Sequence, residues 1–159
     1  MKQDRFLLGI LIGIGVIVLL AIVLVAVKNT DLTYLPEDTP EGVVNNYLTA
    51  WQAEDYDKVA SYLADLENKP QVEDIVRYVY ASRTNIENTS MRIESSDVRG
   101  DSATVMVTVI QQPYDIFTGT SQNSNVVTLV KQNGKWKITE FPYPYWSWDW
   151  YQTPVDYGK

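Results

Sequence analysis

The chain has 159 residues, a formal net charge of −7, and neither cysteine nor histidine. Disulfides, thiolate nucleophiles, imidazole bases and the usual zinc, copper and haem ligand sets are therefore excluded. So acidic a chain is a poor match for nucleic-acid phosphates, and neither a cofactor nor a metal site is expected.

Residues 1–5 read as a short tail. Phe6 to Val27 is one uncharged apolar run of 22 residues. At about 1.5 Å per residue it would reach roughly 33 Å, enough for a hydrocarbon core of about 30 Å. The run predicts a single transmembrane helix over 6–27 in contact with the lipid bilayer. A cleaved signal peptide would carry a shorter apolar region, and Leu24-Val25-Ala26 is a poor cleavage site. Lys2 and Arg5 precede the run, whereas Asp31, Glu37, Asp38 and Glu41 follow it. This asymmetry predicts a cytoplasmic N-terminus and an extracytoplasmic domain, hence a single-pass protein of the cell membrane. Gly9 and Gly13 form a GxxxG, a candidate contact between membrane helices.

From Lys28 onward 11 basic and 19 acidic residues remain, a net charge of −8. Residues 28–38 read as a stalk ending in a turn-like Leu35-Pro36-Glu37-Asp38. Thr39-Pro40-Glu41 then has the form of a helix start: hydroxyl cap, proline at the first position, acid in the first turn. Val43, Val44, Tyr47, Leu48 and Trp51 make a helical stripe. Asp55 caps a second short helix with Val59, Ala60 and Leu63 inward. Pro70 opens a third, where Val72, Ile75, Val76 and Val79 recur at helical spacing.

The period then shortens to two. Met91 and Ile93 alternate with polar residues, Arg99-Gly100-Asp101 is a turn, and Ala103, Val105, Val107 and Val109 alternate along the next strand. Gly119 to Asn125 reads as a polar loop. Val127 and Leu129 mark another strand, joined through the Asn133-Gly134 hairpin turn to Trp136 and Ile138. Helices first and hairpin-linked strands second predict an α+β domain with helices on one face of an antiparallel sheet.

Two stretches carry a family resemblance. Thr39-Pro40-Glu41-Gly42-Val43-Val44 through Tyr47–Leu63 resembles the opening of NTF2-like domains, a helix, a short break and a second helix. Gly100–Val109 and Val127–Ile138 resemble the paired strands of their curved sheet. The resemblance covers roughly 39–140. Together with the transmembrane helix read from the apolar run, it implies an NTF2-like domain over 39–141, with about three helices packed on a curved antiparallel sheet of about four or more strands. It also implies kinship with membrane-anchored bacterial envelope proteins. It carries no activity, because the shared residues serve packing and turns.

Enzymes of that family hold an acid or base inside the cone between sheet and helices. Glu94, Glu140, Asp115 and the group Arg77, Tyr78 and Tyr80 are the available candidates, but none matches a catalytic motif. Asp55 and Asp57 lack a calcium-loop pattern and read as capping residues. The segment 142–159 is the most unusual. Tyr143, Tyr145, Trp146, Trp148, Trp150 and Tyr151 could meet a partner or a glycan, or could fold back and plug the open end of the cone. If the segment is extended, Trp146, Trp148 and Trp150 share one face.

The sequence therefore predicts a non-catalytic binding or assembly module of the cell envelope. Its partner would be an envelope protein or a second copy, and it would bind no nucleic acid. The alternative is a small-molecule-binding or isomerase-like cone with a buried carboxylate.

Overall fold

A computed structural model of the chain describes residues 10–19, 33–113 and 119–152. It divides into two units, Met1–Leu32 and Thr33–Lys159. In the first, residues 10–19 are helical (α1). Among the described residues no helix is long and apolar enough to cross a membrane. A span needs about 20 continuous, mainly apolar helical residues. This corrects the transmembrane helix expected over 6–27, and with it the single-pass placement in the cell membrane. Residues 6–9 and 20–27 lie outside the described residues, Gly9 among them. A Cβ placed on Gly13 would meet nothing within 4 Å.

The second unit contains three helices, α2 (Pro40–Gln52), α3 (Tyr56–Tyr62) and α4 (Val72–Glu87), followed by β1 (Thr89–Arg99), β2 (Ser102–Gln111), β3 (Ser121–Gln132) and β4 (Lys135–Glu140). The four strands form one antiparallel sheet in sequence order. This is an α+β order of elements. As expected, Thr39 caps α2, its hydroxyl accepting from the Gly42 N–H, with Pro40 at the first position. Asp55 caps α3 by accepting from the Lys58 N–H. Gln71 and Asp74 form a reciprocal capping box on α4, removing orphan donors from its first turn.

The core lies between the helices and one sheet face. Val43, Val44, Tyr47, Ala50 and Trp51 of α2 meet Val105, Val107, Val127, Leu129 and Ile138 of the sheet. The β2 alternation places Ala103, Val105, Val107 and Val109 inward, as its period requires. Ser121 to Asn125, expected as loop, instead begins β3, paired residue for residue with Gln111 to Val107. Backbone pairing with a strong neighbouring strand overrides their polar composition. Asn133 and Gly134 both have positive φ, the backbone that a two-residue hairpin turn demands.

The residues before α2 are tied to the domain. Asn46, fully buried, accepts from the Leu35 N–H at 2.7 Å and donates its Nδ2 to the Leu35 carbonyl at 2.8 Å. Lys58 Nζ lies over both the Tyr34 and Tyr62 rings and pairs with Glu37. This docking requires close backbone approach at Gly42, where an added Cβ would lie 2.0 Å from the Pro36 carbonyl oxygen. Gly42→Ala should therefore displace the 34–38 segment and cost about 1–3 kcal/mol despite alanine's better helix propensity. A urea titration that leaves the variant as stable as the parent would refute that close approach.

Candidate functional site

The site is the aromatic segment after β4, which passes through turns rather than continuing as a strand. The Tyr145 N–H donates to the Pro142 carbonyl, and the Trp150 N–H donates to the Ser147 carbonyl. These turns break the two-residue period, so the three tryptophans do not share one face. Trp150 is buried (6% exposed), Trp146 is half-buried, and Trp148 stands 85% exposed. Among the tyrosines, Tyr145 is 5% exposed and Tyr143 51%, while Tyr151 is half-buried.

The inward rings belong to the main core. Phe141 packs on Tyr47 with centroids 4.6 Å apart, and Tyr145 meets Trp51 edge-on at 5.8 Å. Trp150 meets Tyr78 of α4 at 5.6 Å and Trp146 at 5.2 Å, and Tyr151 stacks on Trp146. The hydroxyls are answered by backbone. Tyr47 donates to the Tyr145 carbonyl at 2.7 Å, and Tyr78 donates to the Pro144 and Trp146 carbonyls at 3.0 and 2.9 Å. In return, Tyr145 donates to the Thr89 carbonyl and Tyr151 to the Ala64 carbonyl, both at 2.7 Å. Buried phenols need such partners, and here each bond joins the segment to the scaffold. The result is a plug: the segment fills the space that α4 would otherwise leave against α2 and the sheet.

Burial raises the pKa of Tyr47, Tyr78 and Tyr151 and pushes Tyr145 up to about 12. Desolvation of the phenolate is the leading cause in each case. Trp148 and Tyr143 stand beside a groove of about 540 Å³ whose walls include Phe141, Trp146 and Trp150. Ser147 is buried and donates to Asp149 within that turn.

The acid and base candidates are not brought together. Glu94 accepts from the Thr108 hydroxyl and from Arg92 Nε, both at 2.8 Å, and these hydrogen bonds lower its pKa. Glu140, Arg77 and Tyr80 are exposed, Tyr78 holds the plug, and Asp115 lies outside the described residues. The buried polar side chains among the described residues are Asn46, Thr49, Ser82, Thr89, Thr108 and Ser147, none of them acidic. No group of His, Cys, Asp or Glu among those residues could hold a metal ion. Sequence reasoning missed Tyr47 and Tyr78 as holders of the segment. The available signal was a phenol on a buried helical stripe, which must find an acceptor.

No protein-family model and no curated protein matches the chain. Solved structures do resemble it in fold. A SEC-C motif containing protein from Rhodopseudomonas palustris is 16% identical, with 67% of this chain and 79% of that one covered and a TM-score of 0.47. An NTF2-like protein of unknown function from Burkholderia pseudomallei is 12% identical over 65% and 90% of the two chains, TM-score 0.46. An uncharacterized cystatin fold protein from Novosphingobium aromaticivorans is 15% identical over 61% and 92%, TM-score 0.45.

Proposed function

We propose that the chain is a non-catalytic protein-binding module. The buried rings of its C-terminal segment build a platform, and Trp148 with Tyr143 meets the partner. The observation that carries this reading is Trp148 itself, 85% exposed within an otherwise packed aromatic segment. A tryptophan held in water beside a groove has no stabilising role in the free domain, whereas tryptophan and tyrosine dominate binding hot spots. The occupied space between helices and sheet, without a buried carboxylate among the described residues, supports a module over an isomerase-like cone.

The test places a photoreactive benzoylphenylalanine at position 148 of the full chain. One protein should be captured, and excess unmodified chain should suppress the product while excess Trp148→Ala should not. The Trp148→Ala variant itself should match the parent in stability to within about 0.5 kcal/mol. No suppressible product, or equal suppression by the variant, would overturn the reading.

A further inference from the structure

A cavity of about 380 Å³ opens between the end of α2 and one side of α4, within the size range of small-molecule pockets. The rings of Trp51, Tyr56, Tyr80 and Tyr145 line it. Trp51 and Tyr145 are buried, Tyr56 is half-buried, and Tyr80 stands 78% exposed. Trp51 meets Tyr56 and Tyr145 edge-on, at 6.1 and 5.8 Å, so these three rings form one contiguous wall. Among the described residues the cations that sit over rings are Lys58, on Tyr34 and Tyr62, and Lys131, on Trp136. The rings of the cavity are not among those so covered.

The charge around these rings is uneven. Glu54 and Glu87 bring two negative charges and Arg83 one positive, which leaves one negative charge over. Arg83 is committed to Glu87, to which its Nε donates at 2.8 Å. Glu54 lies 4.0 Å from the guanidinium, the outer limit of an ion pair. Its charge reaches the rings, for the Tyr56 pKa is raised by burial first and by Glu54 next. The backbone at Glu54 is unfavourable as well. Its φ of 56° is left-handed, just past α2, where its N–H donates to the Trp51 carbonyl and the Asp55 N–H to the Ala50 carbonyl. Helix ends of this form favour glycine, which has no Cβ to clash. A glutamate there forgoes stability, and residues that do so collect at binding sites.

We propose that this cavity binds a small organic cation, an ammonium carrying methyl groups, with Glu54 as its counter-charge. The charge is drawn both to the carboxylate and to the ring quadrupoles. The side chains of Val76, Val79 and Ile86, also in the lining, offer no hydrogen-bond acceptor. A bare ammonium or a metal ion would lose its water there without replacement, whereas methyl groups remove that need. Tyr80 covers the bound cation, since an exposed side chain changes rotamer within nanoseconds. The inference goes beyond the role of Trp148, and either can fail without the other.

The test uses the full chain and saturation-transfer NMR with two probes of one shape, choline and its uncharged isostere 3,3-dimethyl-1-butanol. Choline should bind saturably and about tenfold more tightly than the alcohol. Its affinity should fall as sodium chloride is raised, because Glu54 is exposed. Glu54→Gly should erase the preference and at the same time raise the urea midpoint, glycine being suited to that backbone. Glu54→Gln should erase the preference without that gain. Tyr80→Ala should weaken choline binding about threefold and leave the urea midpoint where it is. Both positions are exposed, so these variants keep the core intact. Equal affinity for the two probes, no saturable binding of choline, or an unaltered preference in Glu54→Gly would each overturn the proposal. So would tighter binding of phosphocholine, whose phosphate Glu54 and Glu87 should repel.

Discussion

Replacing Tyr145 with alanine is expected to lower the unfolding free energy by about 3–5 kcal/mol, the range for truncating a large buried aromatic. The ring is 5% exposed and touches both Trp51 and Phe141. Its loss leaves a void between α2 and the start of β1, and it strands the Thr89 carbonyl that the hydroxyl serves. Tyr145→Phe separates the two effects: the ring stays, and the loss should shrink to about 1 kcal/mol. Urea unfolding of the full chain checks both variants. A Tyr145→Ala protein within about 1 kcal/mol of the parent would mean that the segment only rests on the surface.

Alkali should destabilise the domain through its buried phenols. The Tyr145 phenol, at about 12 in the fold, has a value near 10 in the unfolded chain. Its raised pKa therefore contributes stability that is fully present below about pH 10 and is lost as pH rises through 10 toward 12. Two pKa units correspond to roughly 2.7 kcal/mol. Tyr47, Tyr62, Tyr78 and Tyr151 are raised chiefly by burial as well, so their contributions fall in the same direction. Beside Tyr62, Glu37 adds to the effect by accepting a hydrogen bond from its hydroxyl and opposing a second negative charge. The urea midpoint should thus be level to about pH 9 and decline steeply beyond about pH 10, together with rising tyrosinate absorbance. Tyr145→Phe should begin lower and decline less. A midpoint unchanged to about pH 11 would sink this account of the plug.

Much of the domain was legible from spacing. The stripe of Val43, Val44, Tyr47 and Trp51, the cap at Thr39, the alternation from Ala103 to Val109 and the Asn133-Gly134 turn each reflect local backbone preference, and each is realised. Ser121 to Asn125 was not legible, because a strand made by pairing with a neighbour leaves no apolar pattern of its own. The apolar run near the N-terminus showed composition plainly, yet among the described residues no helix is long and apolar enough to cross a membrane. In the C-terminal segment the residue types were visible and their roles were not. An extended reading put three tryptophans on one face, whereas the turns at 142–145 and 147–150 divide them. The hydroxyls that hold the segment come from residues far away in the chain, such as Tyr47 for Tyr145, and no local pattern encodes such a pairing.

The two margins of the sheet are unequal. Along β4 the Ala64 N–H donates to the Ile138 carbonyl and Leu63 bridges Ile138, so that side is stoppered by the chain's own backbone. The opposite margin is β1, eleven residues long with Arg92, Glu94, Asp97 and Arg99 along it. Among the described residues, lateral growth therefore has one point of attachment. Two copies joined there would exhaust it, and a filament built by strand addition would end at its first pair.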